Sequence, residues 1–98
     1  MDFKVIWSDE AIANLRDICT FIARQDPQAA LRMGHGILAH VQILASFPFI
    51  GPTYPRGARG TLREIVFRSY RIFYDVSEES NSVEILHVWH GARDEPDI

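Results

Sequence analysis

Residues 70–90, YRIFYDVSEESNSVEILHVWH, decide the fold. Tyr70, Ile72, Tyr74 and Val76 alternate with Arg71, Phe73 and Asp75, a period of two that puts one set on each face of a strand. Ser77-Glu78-Glu79-Ser80-Asn81 is polar and turn-forming, and Ser82–His90 resumes a β-branched and aromatic run, so the stretch predicts an antiparallel hairpin. In the second strand Val83, Ile85, His87 and Trp89 alternate with Glu84, Leu86, Val88 and His90. That strand is apolar on both faces near its end, which predicts a central place in the sheet.

Immediately upstream, Thr61–Arg68 reads as a further strand. Phe49–Gly60 contains Gly51, Pro52, Pro55, Gly57 and Gly60 and predicts a loop. Before it, Ala30, Met33, Ile37, Val41 and Leu44 recur at helical spacing between Pro27 and about Phe47, with Asp26 as cap and Pro48 as stop. Gly34 and Gly36 lie inside this helix, and each predicts a close approach by a neighbour. Ser8–Gln25 carries Ile12, Leu15, Ile18, Cys19 and Ile22 on one helical face, with Asn14, Arg16, Asp17 and Arg24 largely on the other. Phe3–Trp7 is a short strand ahead of the Ser8 cap. The order is β-α-α-β-β-β, an α+β fold in which a helical hairpin packs on a mostly antiparallel four-stranded sheet. Ninety-eight residues allow one such domain, 1–98.

Charge is distributed unevenly. The net value is −3, the wrong sign for a protein that grips nucleic acid with its whole surface. From Arg56 to Tyr74, however, five arginines face only Glu64, whereas from Asp75 to Ile98 seven acids face only Arg93. Nine of the ten basic residues are arginine, which favours planar, bidentate contacts with carboxylate or phosphate. The single cysteine, Cys19, precludes an intrachain disulfide, and no apolar run is long enough to span a bilayer, so a cytoplasmic location is expected.

A metal-free ribonuclease needs a base for the 2′-OH, an acid for the leaving oxygen and cations for the phosphorane. Tyr70, Tyr74, His87, His90 and the arginines supply such groups. His87 and His90 are three apart on a strand and point to opposite faces, so they form no acid–base pair. His87 reads more readily as a core or interface histidine and Tyr70 and Tyr74 as ordinary sheet packing, while the arginines read equally as a solvated face. His35, His40, His87 and His90 show no metal-ligand spacing, Cys19 sits on an apolar stripe, and neither a GxGxxG nor a P-loop occurs. No metal or cofactor is expected.

Several segments together carry a family resemblance. They are Val5-Ile6-Trp7-Ser8 running into Glu10-Ala11, Asp26-Pro27-x-Ala29-Ala30, Phe47-Pro48-x-x-Gly51, Pro55, Tyr70-Arg71-Ile72-Phe73-Tyr74, and Ile85-Leu86-x-Val88-x-His90-Gly91-x-Arg93-Asp94. In order and spacing they resemble the ParE-like branch of the RelE/ParE superfamily, toxins of type II toxin–antitoxin systems. The resemblance implies a cytoplasmic toxin that poisons DNA gyrase, is not itself an enzyme, is neutralised by a ParD-like or other DNA-binding antitoxin, and meets operator DNA only through that antitoxin. It implies target contacts at Arg59, Arg63, Arg68, Arg71, His90 and Arg93, and antitoxin contacts at Phe21, Phe47, Phe49 and Trp89. Two alternatives stay open: a RelE-like ribosome-dependent mRNA endonuclease, using Arg63, Arg71, His90 and Arg93, and a non-toxic co-repressor that only binds its antitoxin. The acidic balance and the ending Glu95-Pro96-Asp97-Ile98, which lacks a basic, tyrosine-bearing segment, favour the gyrase reading over the nuclease.

Overall fold

The computed structural model describes residues 2–54 and 61–91. In chain order it has β1 (Lys4–Trp7), α1 (Asp9–Ala23), α2 (Pro27–Gln42) continued by a 3-10 turn at Ile43–Ala45, β2 (Leu62–Phe67), β3 (Tyr70–Ser77) and β4 (Ser82–His90). The strands form one sheet in the order β1-β4-β3-β2, parallel between β1 and β4 and antiparallel elsewhere. β4 is central, as its two apolar faces predicted. The α+β architecture is the expected one, with the second helix ending at Gln42 rather than near Phe47.

Both helices start where side-chain oxygens can cap them. Ser8 Oγ accepts from the Ala11 N–H at 3.0 Å, and Asp26 Oδ1 accepts from the Ala29 N–H at 3.1 Å ahead of Pro27. Ser8 also ties the helix to the sheet, because its Oγ donates to the Leu86 carbonyl at 3.1 Å.

The helical hairpin covers one face of the sheet. Ala11, Ile37, Val41 and Leu44 pack there on Ile72, Tyr74, Val83, Ile85 and Val88, all buried. Ile12, assigned by periodicity to the core stripe, is exposed, and Ala11 takes the buried place instead. Both helical glycines mark close approaches, to different neighbours. A Cβ on Gly34 would stand 3.3 Å from Cys19 Sγ, where the helices cross, and one on Gly36 would stand 2.6 Å from the Phe67 ring of β2.

One feature of the sheet departs from simple alternation. Tyr74 is opposite Ile85 whereas Phe73 is opposite His87, so Leu86 is an extra residue in β4, a β-bulge. Past the bulge the faces exchange. Val88 and His90 join Val83 and Ile85 on the helix side, and His87 and Trp89 turn to the outer face, where periodicity alone had grouped them with Val83 and Ile85. His87 and His90 still face opposite ways, as predicted.

Candidate functional site

Among the described residues, three places on the surface combine polar groups with unburied apolar side chains. The first is a groove of about 600 Å³ between α1 and the far half of β4. β1 ends at Trp7, so among the described residues no strand lies beside the edge of β4 from Leu86 onward, and α1 lies along it instead. Asn14 Oδ1 accepts from the Val88 N–H at 3.0 Å, doing for that edge what a strand carbonyl would do. Helical periodicity had put Asn14 on the solvent side, and nothing in its spacing signals this bond. Ile18 and Phe21 of α1 face Tyr70, Val88 and His90 across the groove. The His90 ring stands edge-on to Tyr70 with centroids 5.3 Å apart, and burial raises the Tyr70 phenol above its usual range.

The second place is the outer face of the sheet. Tyr54, Leu62 and Phe73 form a small buried cluster there, with Leu86 and Trp89 against it. Arg71 lies over this cluster, its guanidinium 5.1 Å from the Phe73 centroid and 5.6 Å from that of Tyr54. Glu64, on the neighbouring strand, hydrogen-bonds and ion-pairs with Arg71 Nε, and this bond raises the guanidinium further above its already high range. His87 Nδ1 is buried beside this face, with no hydrogen-bond partner among the described residues.

The third place is the turn after α2. Phe47, Phe49 and Ile50 are exposed around it, beside Ile43, His40 and the edge of β2 at Glu64, Ile65 and Val66. Arg63 Nη1 donates to the carbonyls of Gly51 at 2.6 Å and Phe49 at 3.3 Å, and its guanidinium lies 5.1 Å from the Phe49 centroid. The Gly51 N–H donates to the buried Tyr74 hydroxyl at 2.9 Å. Only glycine fits at 51, since a Cβ there would stand 2.5 Å from the Glu64 carbonyl oxygen and 2.7 Å from the Tyr74 oxygen.

These places divide the residues singled out from sequence. Phe21 lines the first groove, and Trp89 reaches its rim while packing on the outer cluster. Phe47 and Phe49 lie at the other end of the helical hairpin. Arg63 and His90 share the helix side of the sheet with Tyr74 and Tyr70, their register partners, and Arg71 is on the outer side. Arg68 occupies the β2–β3 turn at φ 54°, its guanidinium 5.6 Å from the Phe67 centroid. That turn is joined to the end of β4 by the Gly91 N–H, which donates to the Ser69 carbonyl at 2.7 Å. Arg68, Arg71 and His90 therefore come to one end of the sheet, and Arg63 does not. Arg59 and Arg93 lie outside the described residues. Among the described residues no cluster of three or more His, Cys, Asp or Glu side chains could hold a metal ion, and no helix is long and apolar enough to cross a membrane.

The sequence profile of the ParE toxin of the type II toxin–antitoxin system parDE matches residues 5–95. The chain belongs to that family. Its relatives include the toxin RelE2 of Caulobacter vibrioides, 35% identical over 91 residues that make up 92% of this chain and 97% of the relative. Another, described as a toxin candidate, is Y4kP of Sinorhizobium fredii, 32% identical over 97% of this chain and 95% of the relative. Among solved structures, a chain of the chromosomal ParDE system from P. aeruginosa superposes with a TM-score of 0.75 at 19% identity, over 90% of this chain and 95% of that one. A chain of the RelBE2 toxin–antitoxin complex from Mycobacterium tuberculosis gives 0.63 at 18% identity, over 92% and 99%. At those identities the likeness shows the fold, two helices on a four-stranded mixed sheet, and the family profile shows a ParE/RelE toxin.

Proposed function

We propose that this ParE-family chain is a cytoplasmic toxin that arrests growth by engaging DNA gyrase and trapping its cleaved DNA complex, without cutting RNA itself. The observation that carries this reading is the scatter of the groups a metal-free ribonuclease would need. Arg63 is held by two backbone carbonyls on the helix side, Arg71 is held by Glu64 on the outer side, and His90, edge-on to Tyr70, is on the face opposite Arg71 and at the other end of the strands from Arg63. Among the described residues, Arg71 and His90 are on opposite faces of the sheet and Arg63 lies toward the other end of its strand, so these groups do not converge as an acid, a base and a cation on one phosphate would require. A net charge of −3 also favours a protein target over a site among rRNA phosphates.

The gathering of Arg68, Arg71 and His90 at the β2–β3 turn supports a target contact there, continued by the chain toward Arg93. Its resident partner is an antitoxin of ParD-like or similar DNA-binding type, through which alone it meets operator DNA. The structural likeness to a ParDE system and to a RelBE2 complex supports that pairing.

Pulse incorporation of labelled thymidine and methionine after induction of this chain alone tests the reading. DNA synthesis falls first, and purified gyrase accumulates cleaved DNA in the presence of the toxin. Arg68→Ala and Arg71→Ala weaken both effects. Immediate loss of methionine incorporation with thymidine uptake intact would instead identify the ribosome as target and the chain as an mRNA endonuclease.

A further inference from the structure

Arg68 stands where hairpin chemistry asks for a different residue. Phe67 and Tyr70 are register partners, so Arg68 and Ser69 make up the β2–β3 turn. Arg68 has φ 54°, in the left-handed region where a side chain crowds its own backbone and where tight hairpins use Gly, Asn or Asp. At the other left-handed hairpin position among the described residues the chain follows that rule, since the β3–β4 turn places Asn81 at φ 48°. A long side chain kept in such a position is a departure that folding does not select, and it points to a use for the side chain.

Within the molecule that side chain does little. Arg63 donates to two backbone carbonyls and Arg71 is paired with Glu64. Arg68 is exposed and, among the described residues, has neither a hydrogen bond nor an ion pair. Its guanidinium lies 5.6 Å from the Phe67 centroid, a contact that is weak in water. The turn that carries it is nonetheless fixed. The Gly91 N–H donates to the Ser69 carbonyl at 2.7 Å, and a Cβ on Gly91 would crowd that oxygen at 3.1 Å. A guanidinium with its donors unfilled is thus held out on a turn whose place is settled before any partner arrives.

We propose that Arg68 is the anchor through which the toxin grips a carboxylate on its protein target, and that it is retained in the left-handed position for that contact. The inference rests on the gyrase reading above and names the residue and the chemistry of the contact. Two observations choose a carboxylate over a DNA phosphate. A surface that tracks phosphates needs several unpaired cations, whereas of Arg63, Arg68 and Arg71 only Arg68 lacks a polar partner among the described residues. The surroundings are also aromatic rather than basic, with Phe67 and Tyr70 flanking the turn and Trp89 beside Arg71 as its register partner. One unpaired arginine among Trp, Tyr and Phe is the composition of a protein-contact hot spot. The guanidinium fork matches a carboxylate through two parallel hydrogen bonds.

The test uses the full-length toxin and purified gyrase, without DNA for affinity and with supercoiled DNA for cleavage, and compares wild type with Arg68→Gly, Arg68→Asn and Arg68→Lys. Gly and Asn suit the left-handed position, so Arg68→Gly and Arg68→Asn should melt no lower than wild type. Both should nevertheless bind gyrase about tenfold or more weakly and accumulate correspondingly less cleaved DNA. Arg68→Lys keeps the charge without the fork and recovers part of the loss. With a single ion pair at the contact, wild-type affinity should fall by less than about tenfold between about 50 and about 200 mM salt, where roughly six or more phosphate contacts would lower it by about a thousandfold or more.

Gyrase binding at wild-type strength in Arg68→Gly and Arg68→Asn overturns the proposal and leaves the gyrase reading standing. A lowered melting temperature in both overturns it too, because Arg68 would then serve the fold through its contact with Phe67. Binding that requires DNA and falls steeply with salt assigns the contact to phosphate and overturns the choice of a carboxylate. A wild-type chain that neither binds gyrase nor traps cleaved DNA overturns the gyrase reading, and the proposal with it.

Discussion

The two faces of the sheet solve different problems with the same four strands. On the helix side, Ile72, Tyr74, Val83, Ile85 and Val88 meet Ala11, Ile37, Val41 and Leu44 in a core without buried charge. On the outer side, Tyr54, Leu62 and Phe73 form a cluster one layer deep, roofed by Arg71 and Glu64. Among the described residues, the inner face is covered by two helices and the outer one by single side chains. Stability should therefore be concentrated on the inner face, and tolerance to change on the outer one.

Truncation on each side gives the sharpest comparison. Ile37→Ala removes a fully buried side chain hemmed in by a helix and a sheet that cannot collapse onto the gap, and about 3 to 4 kcal/mol of stability should go with it. Leu62→Ala on the outer cluster should cost about 2 kcal/mol, because Tyr54 and Arg71 can settle into the space. Urea denaturation followed by circular dichroism measures both. Equal losses would mean that the outer layer is as rigid as the core.

A smaller effect is expected at the Tyr74 hydroxyl, a polar group within the inner face. Tyr74→Phe leaves the Gly51 N–H without its acceptor and should cost about 1 to 2 kcal/mol. The same substitution has a pH signature. Burial raises the Tyr74 phenol above its ordinary 10.0, so above about pH 10 the unfolded chain loses this proton while the folded chain keeps it. Stability from this group is complete below that pH and is lost as pH rises through the range above it. Tyr74→Phe should flatten that alkaline fall, as thermal melts across pH 9 to about pH 11 would show.

The difference between the faces also explains what could be read from the sequence. The order of elements, the caps at Ser8 and Asp26, the hairpin at 70–90 and the central place of β4 follow from periodicity and turn chemistry, which are local. The Leu86 bulge is not local. It lies where β4 passes the end of β1 and where the Leu86 carbonyl accepts from the Ser8 hydroxyl, and without it His87 and Trp89 fall on the wrong face. The same limit applied to the candidate sites. The arginines of β2 and β3 were visible as a cluster in the chain, but alternation alone did not show that Arg63 would bond the backbone of a turn twelve residues upstream while Arg71 bonded Glu64 across the strand pair. Asn14 was hidden for a similar reason, since the Val88 N–H becomes available to it only because β1 is short.

The smallest expected effect concerns the Arg71–Glu64 pair, and it bears on the outer face most directly. Both side chains are about one-fifth exposed, so solvent screens their attraction, and Glu64→Gln should change stability by less than about 1 kcal/mol. What remains of the difference should fade in about 1 M salt, where the Debye length falls to about 3 Å. The functional consequence runs the other way. Glu64 neutralises Arg71, whose place on the outer face is fixed by stacking on Phe73 and Tyr54, and its removal leaves that guanidinium in position without this counter-charge. If Arg71 contacts the target, Glu64→Gln should retain or deepen growth arrest while Arg71→Ala relieves it, at nearly equal stability. Relief by both substitutions would show instead that the pair acts as a unit holding β2 to β3, and the outer face would then be a structural layer like the inner one, only thinner.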